Sequence, residues 1–140
     1  MPMKSFVASA ALFVALAVPA FAHHPFAAQY DSSKPVTVTG TIEKFEWTNP
    51  HSFVYINGKD ETGKSGTWKV ELGSPRALTD RGWSRDMLKK GEQVTIDGWL
   101  AKDGSQSANA KSVKFENGKT MSAASSYDGR HKSTTHSPAD

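Results

Sequence analysis

Apolar and polar positions alternate through most of the middle of the chain. Val36, Val38, Gly40 and Ile42 are interleaved with Thr37, Thr39, Thr41 and Glu43, which predicts a half-buried strand. Phe45 and Trp47 continue the apolar set one register off, as a bulge near Lys44 would produce. Thr48-Asn49-Pro50 breaks this strand, and His51 to Asn57 form the next. After a polar loop from Gly58 to Lys64, a third strand runs from about Gly66 to Leu72. Trp68, Val70 and Leu72 lie on one side of it and Thr67, Lys69 and Glu71 on the other.

The period then lengthens. Ser74 before Pro75 is a helix start, an N-cap followed by a residue whose missing N–H costs nothing there. Arg76 to Arg81 form one short helix stopped around Gly82. Ser84 opens a second turn through Met87, Leu88 and Lys90, with Gly91 as its stop. Val94, Ile96, Gly98 and Leu100 restore strand alternation. Lys102 to Ser105 make a turn, and Ala108 to Phe115 form a fifth strand with Val113 and Phe115 inward. Asn117-Gly118 is a tight turn. From Lys119 to Asp140 the chain is rich in Ser, Thr, Lys and His and predicts a disordered tail, with His131 and His136 too loosely spaced to form a site.

Three strands, a helical connection and two more strands follow the order of the OB-fold. The expected class is therefore all-β: a five-stranded OB-fold-like barrel with one short helical connection, or alternatively a small β-sandwich. Gly40 and Gly98 suit the bends needed to close so small a barrel.

The start of the chain has a different logic. Lys4, an apolar run from Phe6 to Val18 broken only by Ser9, and the small-residue pattern Ala20-Phe21-Ala22 have the order of a secretory signal peptide. The run is short for a bilayer span and no other segment approaches one, so no membrane span is expected in the mature chain. Cleavage after Ala22 divides the chain into a signal peptide (1–22), an N-terminal lead (23–34) ending in the turn-like Asp31 to Pro35, the barrel domain (35–118) and the tail (119–140). The product is expected to be periplasmic or secreted.

Composition narrows this further. Residues 1–22 hold one lysine and no acid, so cleavage takes the net charge from +3 to +2. That near-balance lacks a Lys/Arg block able to track a phosphate backbone, and no nucleic-acid partner is expected. The absence of cysteine excludes a disulfide framework, thiolate metal sites and a lipid-modified cysteine at the cut.

Cleavage exposes His23 with a free α-amino group beside its imidazole, and His24 follows. Copper(II) favours a tetragonal set of nitrogen and oxygen ligands. The amine and ring of His23 form a chelate, and His51, just past the Asn49-Pro50 break, supplies a third nitrogen at the barrel rim, with His24 assisting. Two histidines on a loose terminus and a strand-end histidine are the structural alternative. A second constellation is the outward face of strands two and three. With Val54 and Ile56 inward, Phe53 and Tyr55 face out beside Lys69 and Glu71, a face that binds ligands in OB-folds; the opposite assignment makes Phe53 and Tyr55 core. The segments Trp47 to His51 and Glu71 to Pro75 meet at strand ends where they would line one rim, although turn and helix capping by Asn49 and Ser74 account for them structurally. Arg76, Arg81 and Arg85 belong to a solvated face. There is no nucleophile elbow, phosphate-cradling loop or paired-carboxylate signature.

The run His23-His24-Pro25-Phe26-Ala27-Ala28-Gln29-Tyr30-Asp31 resembles the mature start of a family of small secreted bacterial proteins classed as a domain of unknown function. Val38 to Ile42, Trp47 to His51, Gly73-Ser74-Pro75, Arg81-Gly82-Trp83 and Gly98 through Lys102-Asp103-Gly104-Ser105 are similar to further blocks in the same order. Members commonly carry Ser at the position of Pro25 and Glu at that of Gln29; the second change removes a possible oxygen ligand. The resemblance implies export and a small β-rich domain, and supplies no activity.

The expected function is that of an exported binding protein without turnover, taking copper at His23 and His51 for metal handling or delivery. The alternative is a small-molecule or protein-binding module using the Phe53/Tyr55 face, with an exported protein among its candidate partners. An oxidative copper enzyme would share the same N-terminal ligands.

Overall fold

The computed structural model describes residues 26–127. The expected signal peptide, His23, His24 and residues 128–140 lie outside the described residues. The elements run α1 (Phe26–Gln29), β1 (Tyr30–Glu46), β2 (Phe53–Asp60), β3 (Ser65–Glu71), α2 (Pro75–Thr79), β4 (Gln93–Ala101), β5 (Ser107–Phe115) and β6 (Thr120–Ser122). The sheet order is β3-β2-β1-β4-β5-β6, and a parallel β3–β5 pairing closes strands one to five into a ring. A closed ring of five strands, antiparallel at every seam except β3–β5, is the barrel expected from the strand order.

The alternation sets the inside of that ring. Ile42 pairs with Ile56, and Ile56 with Trp68, across β1, β2 and β3. Val38, Ile96 and Val113 make the matching row across β1, β4 and β5. Val70 opposite Ala108 joins the two halves. All of these residues are buried, and Leu78, Trp83 and Leu88 from the connection between β3 and β4 join their cluster. Ser74 caps α2 by accepting a hydrogen bond from the Ala77 N–H, with Pro75 at the first helical turn. The β1 register shifts between Ile42 and Lys44, which places the bulge at Glu43. At Gly40 the strands approach so closely that a Cβ would lie 2.4 Å from the Asn57 carbonyl oxygen; at Gly98 it would lie 2.1 Å from that of Asn109.

Four details differ from the sequence expectation. The lead does not end in a free turn. β1 already begins at Tyr30, which pairs with Ala101, and the Asp31 carboxylate accepting from the Ser33 N–H and hydroxyl forms an irregularity within the strand. β2 begins at Phe53 rather than at His51. The expected second helical turn is an irregular turn in which the Met87 N–H donates to the Ser84 carbonyl. The tail reading also fails over its first part, because β6 pairs with β5 and Met121, Ala123 and Ala124 are buried in the main core. These residues are small or singly apolar, so their burial depends on partners distant in the chain that local hydropathy does not reveal.

A second apolar cluster lies apart from the barrel interior. Phe26, Tyr30 and Trp99 are buried together with Tyr127 packed against them. The Phe26 and Tyr127 rings, near the two ends of the described chain, are 4.9 Å apart between centroids.

Candidate functional site

The strand-two and strand-three wall carries the site. With Val54, Ile56, Trp68 and Val70 buried inward, the pleat turns Phe53, Tyr55, Lys69 and Glu71 to the other side. Phe53 lies opposite Glu71 and Tyr55 opposite Lys69. The Lys69 ammonium sits 4.5 Å from the centroid of the Phe53 ring, within cation–π range.

Two loops rise beside this wall. The β1–β2 loop, with its cis Asn49-Pro50 peptide, carries His51 near its end and runs into β2 through Ser52. It is tied to the end of β3 by Ser52 N–H to the Gly73 carbonyl and by Leu72 N–H to the Ser52 carbonyl. The Thr48 hydroxyl donates to the His51 carbonyl at 3.0 Å. The β4–β5 loop is stiffened by Asp103, whose carboxylate accepts from the Ser105 N–H and hydroxyl, holding the carboxyl below its ordinary range. The backbone N–H of Lys102 in the same loop donates to the Gln29 carbonyl, and its ammonium to the Ala27 carbonyl, so α1 forms a third wall. Together these walls enclose an open groove of about 1450 Å³ that includes His51, Phe53, Lys69, Glu71, Lys102 and Asp103. A smaller hollow of about 540 Å³ beside Phe115 and Met121 contains none of the predicted site residues.

Glu71 departs from its expected exposure. It sits on the outward side of β3 yet is only 6% exposed. The Tyr30 hydroxyl donates to Oε2 at 2.8 Å and the Asn109 amide to Oε1 at 3.2 Å. Ser125 in turn donates to Asn109 Oδ1 at 2.6 Å. Burial, together with the adjacent Glu71 carboxylate, pushes the Tyr30 phenol well above its ordinary value near 10. Glu71 is thus a buried acceptor joining α1/β1, β3, β5 and the chain after β6. His51 Nδ1 lies 3.5 Å from Glu71 Oε1, with the His51 side chain 29% exposed.

The structure brings His51, Phe53, Lys69 and Glu71 into one groove. Tyr55 is not among the groove's lining residues, and its ring has the Lys44 ammonium 5.6 Å from its centroid. The Trp47–His51 and Glu71–Pro75 stretches do share a rim: Asn49, Pro50 and His51 line the groove together with Leu72, Gly73 and Ser74. Among the described residues no group of three or more His, Asp or Glu is arranged to hold a metal ion, and no helix is long and apolar enough to cross a membrane. Sequence reasoning missed Tyr30, Lys102, Asp103 and Asn109 as contributors. Lys102 and Asp103 stood out in the sequence as a turn and as part of a block of the family resemblance; their place at the groove follows from topology, since an OB-like barrel brings its β4–β5 loop back beside strands two and three.

A family model matches residues 11–111, and the chain belongs to that family, a family of unknown function (DUF6152). No curated protein matches the chain, and no solved structure does.

Proposed function

We propose that this member of a family of unknown function is an exported binding protein, periplasmic or secreted, whose ligand occupies the β2–β3 groove without turnover. The supporting observation is the convergence of an imidazole, an aromatic ring, a lysine and a buried carboxylate on one concavity of about 1450 Å³. Concave sites that mix apolar surface with a few fixed polar groups are where small ligands bind. The test is a crystallographic soak of the mature protein with a library of small polar and aromatic fragments. Hits should gather on His51, Phe53 and Lys69; hits confined to other surfaces would overturn the assignment. Intact mass of the exported product tests the export reading, with a first residue of His23 expected.

A second reading, copper(II) binding, draws on His51. A carboxylate beside one ring nitrogen is the arrangement that orients a metal-bound imidazole, and Glu71 stands in that place. The N-terminal lead gives the tether. Phe26 packs in the aromatic cluster next to Tyr30, and three extended residues upstream span roughly 10 Å. In this reading His23 contributes amine and ring, His51 a third nitrogen, and His24 assists. Mature protein should bind one copper(II) more tightly than a version with one added N-terminal residue, and His51→Ala should weaken binding substantially. Equal affinities across the three would exclude the site. Copper-dependent oxygen consumption would distinguish an oxidative enzyme from a carrier.

A further inference from the structure

We infer that the groove ligand is a neutral oligosaccharide, recognised by side chains along the β2–β3 wall and its two flanking loops. The inference rests on the groove reading above and specifies the class of ligand.

The groove floor has little free backbone to offer. Lys69 to Glu71 are paired with Ser107 to Asn109. Beyond them the Leu72 N–H donates to the Ser52 carbonyl at 2.8 Å and the Gly73 N–H to the Ala123 carbonyl at 2.9 Å. An extended peptide binds a sheet by adding to an unpaired strand edge, and this seam is already closed. Recognition therefore falls to side chains.

The charges in the groove cancel. Lys69 and Lys102 are matched by Glu71 and Asp103, so the groove carries no excess of one sign to attract a polyanion such as a nucleic acid or a sulfated or uronic polymer. The remaining polar lining is the His51 imidazole together with amides and hydroxyls, including Asn49, Gln29, Ser105 and Ser126. These groups both donate and accept, as do the hydroxyls of a sugar. Phe53 adds a half-exposed apolar ring, against which the C–H face of a pyranose packs by dispersion. Lys69, which now lies over that ring, is exposed and can swing to a sugar hydroxyl as donor. Size points the same way. Pockets for single small molecules are about 300–1,000 Å³, whereas this one is open and about 1450 Å³, room for a chain of rings. The face over strands two and three between the β1–β2 and β4–β5 loops is also where OB-folds take oligosaccharides or oligonucleotides, and the charge balance selects the former.

The test is titration of the isotope-labelled mature chain, followed by backbone amide shifts. The probes are neutral hexasaccharides of glucose, mannose and N-acetylglucosamine in α- and β-linked forms, a polygalacturonate hexamer, and an uncharged peptide of matching length. At least one neutral hexasaccharide should shift Phe53, Lys69 and Ser105. Its affinity should hold within about twofold between low and physiological salt, because no counterions are released. Phe53→Leu, which keeps apolar bulk and loses the ring, should weaken it roughly tenfold, the equivalent of about 1.4 kcal/mol. If no neutral sugar moves these amides, or if only the polygalacturonate binds, with steep salt dependence, the inference is overturned. Peptide shifts at the same residues without sugar shifts would overturn the sugar assignment and leave the groove reading intact. Sugar shifts confined to the hollow beside Phe115 and Met121 would sink both.

Discussion

Glu71 is a carboxylate in a position that β alternation assigns to solvent, and it is buried because Tyr30 and Asn109 reach it from distant segments. Removing one donor from a buried charged acceptor costs about 1.5–3 kcal/mol. Tyr30→Phe should therefore lower unfolding stability in urea by that amount at neutral pH. The same pair fixes a pH dependence. The Tyr30 phenol is raised in the folded state, so above pH about 10 the unfolded chain releases this proton while the folded chain retains it. Fewer protons on the unfolded side means that stability falls as pH rises from that point, by up to about 1.4 kcal/mol per pH unit for one group. Urea midpoints between about pH 9 and 11 should drop more steeply in the native sequence than in Tyr30→Phe. Parallel slopes would show that Tyr30 does not carry the alkaline loss.

At the scale of elements, β6 and the residues after it act as a closing strap. Trp83 Nε1–H donates to the Ser122 carbonyl at 2.8 Å, the Ala123 carbonyl accepts from Gly73, and Ser125 donates to Asn109. Ending the chain after Gly118 removes buried Met121 and orphans these groups. Loss of a buried methionine costs about 2–5 kcal/mol, and each buried polar group left unpaired about 1–3 more. The shortened protein should therefore lose at least about 4 kcal/mol, out of a typical total of 5–15. Chemical denaturation followed by near-ultraviolet circular dichroism measures this loss; an unchanged midpoint would make the strap dispensable. The strap also marks the limit of local sequence reading. Val38, Ile42 and Trp68 announce their burial by alternation, Ser74 and Pro75 announce a helix start, and Gly40 and Gly98 announce close strand approach, whereas on β2 alternation alone leaves open whether Val54 and Ile56 or Phe53 and Tyr55 face the core. Ala123, Ala124 and Ser125 carry no such period, because what buries them is Gly73, Asn109 and the end of β3. For the groove, the placing of Phe53, Lys69 and Glu71 on one wall with His51 at the β1–β2 break was readable, whereas Tyr55 lies outside the lining and the burial of Glu71 was not foreseen. The loop at Lys102–Ser105 and the Tyr30 donor belong to other strands and join the groove only through the closure of the ring.

At the scale of the whole molecule, the described residues form two apolar centres, the barrel interior and the outer cluster of Phe26, Tyr30 and Trp99. The outer one holds the start of the described chain against the barrel, with the Phe26 ring 5.4 Å from Trp99 and 4.9 Å from Tyr127. In the copper reading this cluster matters because a ligand three residues upstream of Phe26 meets His51 at an effective concentration set by a very short tether. Phe26→Ala removes the anchor and leaves every proposed ligand in place. Amides of α1 and of β1 near Tyr30 should then exchange faster, as a locally opening unit does, while those of Ile96 and Val113 in the barrel keep their protection. Copper(II) affinity should fall roughly tenfold or more as the tether lengthens, whereas an organic groove ligand should lose only what the α1 wall at Gln29 contributes and still shift the Phe53 and Lys69 amides. If copper affinity in Phe26→Ala equals that of the native sequence while the α1 amides do exchange faster, the aromatic cluster serves only to close the outer core, and the N-terminal lead has no part in presenting a ligand to His51.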